Sequence, residues 1–222
     1  MRRPRIAFLM DENTSTGGTR YEAAKGYFHS LIAAGGAPFG VPYAPELVDG
    51  IVEEFDGLLT AGGRFAVPAD WYVGEAYPSP QTPRPTVEIA LMRGFLAKDK
   101  PVLGMCAGMQ VLACLHGARM TADLEGHDHR ELSHEIAIAP DTLLAGLAGE
   151  ALTVNTYHRE AIVELGPDLI ASARSADGVI EAVELPARRF ALGLQWHQEL
   201  LGIDHPGQAI FAGFVDACAV NA

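Results

Sequence analysis

Gly104-Met105-Cys106-Ala107-Gly108 sets a cysteine between two glycines, after the apolar run 102–105 and before a stretch, 109–116, of helical character. That order reads as a strand, a nucleophile on a tight turn, and a helix. Such a turn strains the backbone of the nucleophile, so the flanking positions must be small for it to close. The free N–H groups at the start of the helix point at the sulfur, and their positive end favours thiolate over thiol. The Ala107 N–H is expected to face a developing oxyanion as well. The bland alternative for Cys106 is a buried structural thiol, since free cysteines are among the most buried residues. The paired glycines argue for the nucleophile instead.

A cysteine nucleophile needs a positioned base, and the chain has eight histidines. His197 follows the apolar run Ala191-Leu192-Gly193-Leu194-Gln195-Trp196, and Glu199 comes two residues later. In extended backbone, positions two apart project to one face, so Glu199 can fix the imidazole tautomer and stabilise imidazolium. Alone, a His-x-Glu pair reads equally as a surface pair or a satisfied core histidine. Joined to the elbow, it makes a Cys106-His197-Glu199 triad able to cleave an amide.

The elements that must position these residues alternate along the chain. Residues 6–10 form a short apolar run ending in Asp11-Glu12-Asn13, as expected of a parallel strand covered on both faces. Ala24, Tyr27, Phe28, Leu31 and Ile32 then recur at helical spacing, and Gly35-Gly36 supplies a stop. Strand 57–60, helix 87–98 and strand 102–105 continue the pattern toward the elbow. Residues 64–86, with Trp71, Tyr72, Tyr77 and several prolines, read as a long surface loop of the kind that walls binding sites. Beyond His134, alternating runs at 135–139, 151–154, 170–173, 179–183 and 190–194 predict further strands, partly antiparallel, and 208–219 predicts a closing helix. The expected fold is therefore α/β, a mostly parallel central sheet with helices on both faces and antiparallel strands in the C-terminal half, in one domain over 1–222.

Composition narrows the function classes. With 28 acidic against 16 basic residues and a formal charge of -12, the chain lacks the cationic excess that phosphate backbones require, so nucleic acid is excluded as an expected partner. The three cysteines, Cys106, Cys114 and Cys218, match neither a zinc site nor a disulfide framework, which suits a reducing compartment. No apolar run approaches the ~20 residues of a membrane span, and the short run after Arg2, Arg3 and Arg5 is too brief for a signal sequence. A cytoplasmic protein without membrane attachment is expected, and a homodimer is left open.

Taken together, these residues resemble the class I glutamine amidotransferases, and most closely their γ-glutamyl hydrolase branch, over nearly the whole chain. The resemblance is carried by Tyr21, Ala34-Gly35-Gly36-Ala37-Pro38, Asp56-Gly57-Leu58-Leu59, Gly62-Gly63 and Cys106-Ala107-Gly108-Met109-Gln110. It continues through Val154-Asn155-Thr156-Tyr157-His158, Ser175-Ala176-Asp177-Gly178, Glu181-Ala182-Val183 and Gly193-Leu194-Gln195-Trp196-His197-Gln198-Glu199. It implies a flavodoxin-like amidotransferase fold and a small-molecule γ-glutamyl substrate, cleaved through a thioester on Cys106 with no cofactor. It also implies an oxyanion hole from Ala107 with Gly62 and Gly63, and glutamyl contacts from Gln110, Asn155, Thr156, Tyr157 and His158. The chain departs from the branch at Ala107, where arginine is usual, at Gln198, where proline is usual, and at Arg159 in the Asn155 segment. An Arg-Asp pair before the helix leading to the elbow is replaced by Pro85-Thr86-Val87-Glu88. A glutaminase subunit passing ammonia to a partner synthase is the alternative, and a catalytically silent relative is disfavoured by the intact triad.

Two further signals are set aside. Glu125-Gly126-His127-Asp128-His129 with His134 contains metal-ligand types, but polar loops rich in Asp and His are common, and no metal is expected. Residues 14–19 contain Gly17-Gly18 but lack the Lys-Ser/Thr of a phosphate loop.

Overall fold

The computed structural model describes residues 2–76, 78–124 and 129–219. Tyr77 and the loop residues Glu125, Gly126, His127 and Asp128 lie outside the described residues. Nine strands form the main sheet: β1 Arg5–Leu9, β2 Ala37–Val41, β3 Gly57–Thr60, β4 Val102–Met105, β5 Arg130–Ile138, β6 Ala151–Tyr157, β7 Ile170–Ser175, β8 Ile180–Glu184 and β9 Ala191–Leu194. Their order across the sheet is β2-β1-β3-β4-β9-β8-β7-β5-β6. The pairs from β2 to β9 are parallel, and those from β9 to β6 are antiparallel. The C-terminal strands thus extend the parallel sheet, as the alternating runs predict.

Alternation within the strands assigns the helices to faces. Ala7 and Leu9 of β1 and Leu58 of β3 pack with Ile51 and Val52 of α2 (Val48–Glu54), with Val87, Leu91 and Phe95 of α3 (Arg84–Ala97), and with Leu112 of α4 (Ala107–Leu115). Ile6, Phe8 and Leu59 turn the other way. They meet Leu31 of α1 (Lys25–Ala33), Leu144 of α5 (Leu143–Ala148), and Ile210 and Phe214 of α6 (Gln208–Ala219). A sheet covered on both faces buries consecutive residues, which is why β3 and β4 are apolar without alternation. Among the described residues no helix is long and apolar enough to cross a membrane.

Strand β2 and helix α2 were not legible in the sequence. β2 reads Ala-Pro-Phe-Gly-Val, and its Pro38 and Gly40 are tolerated because it is the edge strand. α2 is only 7 residues long, too short to show helical periodicity.

Candidate active site

β4 ends at Met105 and α4 begins at Ala107, so Cys106 alone makes the turn. Its φ of 49° and ψ of -105° lie where L side chains are strained. The flanking glycines let the turn close. A Cβ on Gly104 would stand 2.6 Å from the Gly108 carbonyl, and one on Gly108 would stand 2.2 Å from Thr60 Oγ1. The Cys106 N–H donates to the Leu194 carbonyl at 2.7 Å, tying the elbow to β9.

β9 then carries the chain over the elbow to His197. The His197 Nδ1–H donates to Glu199 Oε1 at 2.7 Å, which assigns the other ring nitrogen to the Cys106 side. A Cβ built on Gly62 would fall 2.5 Å from His197 Cε1 and 3.3 Å from Cys106 Cβ, so nucleophile and base converge over that one glycine. Burial disfavours the charged imidazole, but hydrogen bonds with Cys106 and Glu199 outweigh it and raise the His197 pKa to about 10. The raised value favours imidazolium, which places a cation beside the sulfur. Burial pushes the other two thiols up, Cys114 to about 12 and Cys218 higher still.

The turn bearing the base is held from several sides. Asn155 Oδ1 accepts from the His197 N–H at 2.9 Å, and Asn155 Nδ2 donates to the His197 carbonyl at 2.8 Å. Gln198, where the resemblance leads one to expect proline, is almost fully buried. Its Oε1 accepts from Trp196 Nε1 at 3.0 Å, and its amide nitrogen lies 3.2 Å from His205 Nδ1. Side-chain hydrogen bonds thus restrain the turn that a proline ring would stiffen. Behind Glu199, the Tyr27 hydroxyl accepts from the Gly62 N–H at 3.3 Å. Burial, followed by the Glu199 charge, raises the Tyr27 pKa well above its usual value. Sequence reasoning placed Tyr27 only on the apolar stripe of α1; its hydroxyl at the site follows from how α1 docks on residues 198–200.

Arg84, the first residue of α3, supplies what seemed missing before the elbow. It is fully buried, its Nε donates to Glu88 Oε2 at 2.8 Å one turn on, and its Nη1 donates to Asp11 Oδ1 at 2.7 Å and to the Gly62 carbonyl at 2.9 Å. Its Nη2 donates to the Ala61 carbonyl, and its guanidinium lies 4.3 Å from the centroid of the Phe65 ring. Through these contacts Arg84 clamps the loop that contains Gly62 and Gly63.

A cleft of about 300 Å³ opens at Cys106, lined by Gly63, Arg64, Gln110 and residues 157–160. Of the residues expected at a glutamyl group, Gln110, Tyr157 and His158 line it. Asn155 and Thr156 do not: both are buried, Asn155 gripping His197 and Thr156 Oγ1 donating to the His129 carbonyl at 2.8 Å. Their side-chain hydrogen-bonding groups are engaged within the scaffold. Gln110 Nε2 donates to Gln195 Oε1 at 3.2 Å, and Gln195 Nε2 lies 3.7 Å from Cys106 Sγ. The aromatic loop sits one layer back. Tyr72 is buried with its hydroxyl donating to Glu160 Oε1 at 2.9 Å, and Trp71 packs against the core. The exposed rim of the cleft carries Arg64 and Arg159, where an arginine at position 107 is absent.

Comparisons with known proteins identify the relatives of this chain. The Peptidase C26 family profile matches residues 6–199. The Mycobacterium tuberculosis protein Rv2859c is 37% identical over 188 residues, which is 78% of this chain and 61% of that protein. The gamma-glutamyl-gamma-aminobutyrate hydrolase PuuD of Escherichia coli K12 is 30% identical over 241 residues, covering 98% of this chain and 94% of PuuD. Among solved structures, the glutaminase domain of Trypanosoma brucei CTPS with bound acivicin superposes with a TM-score of 0.69 at 18% identity, covering 98% of this chain and 94% of that one. That likeness is one of fold: a mixed central sheet with helices on both faces.

Proposed function

Because this chain belongs to the Peptidase C26 family, and its part-buried His197 stands between Cys106 and Glu199, we propose that it hydrolyses γ-glutamyl amides by covalent catalysis. The observation that carries the reading is the His197–Glu199 contact of 2.7 Å, with the His197 ring and Cys106 converging over Gly62. The Cys106 sulfur attacks the γ-carbonyl carbon, and the C=O electron pair moves onto oxygen. The Ala107 N–H at the start of α4 and the Gly63 N–H stabilise that oxyanion, while the Gly62 N–H is bonded to the Tyr27 hydroxyl. As the intermediate collapses, the C–N bond breaks and His197 passes its proton to the departing amine. His197, now neutral, takes a proton from water as the water attacks the thioester. The C–S bond then breaks and glutamate leaves.

In this reading Gln110 and Tyr157 contact the glutamyl group, and Arg64 and Arg159 offer cations to a substrate carboxylate. Asn155 and Thr156 act as scaffold. The space beside residues 157–160 accommodates an amine larger than ammonia, with the 64–86 loop supporting that wall from behind through Tyr72. The relative named as a gamma-glutamyl-gamma-aminobutyrate hydrolase, at 30% identity, supports a substrate of this class. The test is mass spectrometry of products from a panel of γ-glutamyl compounds with the purified chain. Glutamate and free amine are expected, with kcat/KM well above that for glutamine. If no compound is cleaved, yet glutamine is hydrolysed once a partner protein is added, the chain is a glutaminase subunit and this reading is wrong.

A further inference from the structure

We propose that His129, His134 and Glu181 form a binding site for one divalent transition-metal ion, with zinc as the fitting example, separate from the triad. The three donor atoms lie within 4.8 Å of one another. Glu181, on β8, is fully buried. Its Oε1 is approached by His129 Nδ1 at 3.2 Å, by His134 Nε2 at 3.3 Å and by His158 Nε2 at 3.6 Å. His129 Nδ1 and His158 Nε2 are themselves 3.2 Å apart. A tetrahedral zinc with bonds of about 2.0–2.1 Å to nitrogen and oxygen has donor–donor edges of about 3.3 Å. The two edges from Glu181 Oε1 to His129 Nδ1 and His134 Nε2, at 3.2 and 3.3 Å, match such an edge, and the third stays within 4.8 Å, with His158 flanking the set.

The outward hydrogen bonds set the tautomers. His129 Nε2 lies 3.0 Å from Asp177 Oδ2, and His158 Nδ1 lies 3.1 Å from the Glu160 carbonyl. Both partners are acceptors, so a neutral ring carries its proton there and turns the lone pair of its other nitrogen inward. Two inward lone pairs and a carboxylate repel unless a positive charge stands among them. Among the described residues, neither Glu181 oxygen nor His134 Nε2 completes a hydrogen bond, although imidazole nitrogens stand close by. A buried carboxylate without hydrogen bonds is costly, whereas an ion would use all of these atoms at once. Asp177 behind His129 is the carboxylate–histidine–metal arrangement that orients a ligating ring. His134, at 22% side-chain exposure, is the side open to entry.

The competing way to supply the charge is a proton on the rings, and the Glu181 carboxylate beside His129 does raise the pKa of that ring. A metal and a proton differ in what can be measured. In the sequence, His129 and His134 were set aside together with the carboxylates of the adjacent segment; the carboxylate beside them here is Glu181 of β8. His158 also lines the cleft at Cys106, so an ion here would brace the wall formed by residues 157–160.

The chain would be stripped with EDTA, dialysed, and titrated with Zn²⁺ by calorimetry, with metal content measured by mass spectrometry. One equivalent per chain is expected in Cys106→Ala, which removes the catalytic thiol as a competing ligand. Binding should weaken at least tenfold in His134→Ala, and about 10–100-fold in Asp177→Asn. Zn²⁺ should raise Tm in Cys106→Ala protein but not when His134→Ala is added. The Co²⁺-loaded protein should show tetrahedral d–d absorption without a thiolate charge-transfer band. Should His134→Ala fail to fold, Asp177→Asn carries the comparison. Failure of Cys106→Ala to take up one equivalent, or uptake undiminished in the cluster variants, would overturn the proposal and leave a proton-bridged network.

Discussion

The side-chain amide of Asn155 holds the main chain of His197 at both ends, accepting from its N–H at 2.9 Å and donating to its carbonyl at 2.8 Å. β6 is in this way coupled to the catalytic base across the sheet end. Asn155→Ala removes both bonds and lets the 197–199 turn shift. kcat should fall by roughly 10²-fold, the scale of a 1 Å misplacement, with KM little changed. A raised KM at unaltered kcat would instead return Asn155 to the substrate-contact role.

Cys106 should react with iodoacetamide well before Cys114 and Cys218. Burial holds the Cys114 thiol at about 12 and that of Cys218 higher, so neither offers thiolate at neutral pH. Peptide mapping after brief labelling should find the adduct on Cys106. Cys106→Ala should abolish both labelling and turnover in a folded protein. Turnover that survives in Cys106→Ala would remove the nucleophile from the mechanism.

In the proposed mechanism His197 discharges the amine from its protonated form, and its folded pKa is raised above the ordinary histidine value to about 10. A raised value means that the proton, and the stability it contributes, is fully present below the ordinary value and lost as pH rises through about 10. The alkaline limb of kcat/KM should therefore appear only in that region. Glu199→Gln removes one of the groups that raise it, so the limb should move to lower pH while partial activity remains. His197→Ala should leave almost none. An unmoved limb in Glu199→Gln would show that Glu199 does not set the protonation of the ring.

Arg84→Met would leave the Glu88 carboxylate uncompensated in the core and release the carbonyls of Ala61 and Gly62. Breaking one partner of a buried pair costs about 3–5 kcal/mol, which urea unfolding would read directly. Replacing both partners, as Arg84→Met with Glu88→Leu, should restore much of that stability but not the activity, because the Gly62-Gly63 loop stays unclamped. A double variant with full turnover would show that the loop holds its shape without Arg84.

Much of the chemistry was legible without coordinates. The glycines around Cys106 announce the elbow because only small residues permit β4 and α4 to meet at one strained residue. The spacing of His197 and Glu199 announces the second half of the triad because local backbone direction governs residues two apart. The parallel strands were readable because a sheet covered on both faces must be apolar throughout. Local rules could not show what distant segments do to one another. Asn155 and Thr156 are polar residues on a strand, and only the docking of β6 on the 197–199 turn and the 129 segment reveals that their groups are already bonded. The role of Arg84 depends on α3 crossing the Ala61-Gly62 loop, and Tyr27 reaches the site only through the packing of α1. The gathering of His129, His134, His158 and Glu181 is likewise decided by the order of the antiparallel strands. A side chain's type and its near neighbours declare what chemistry it can do; which atoms remain free for that chemistry is set by partners far away in the chain.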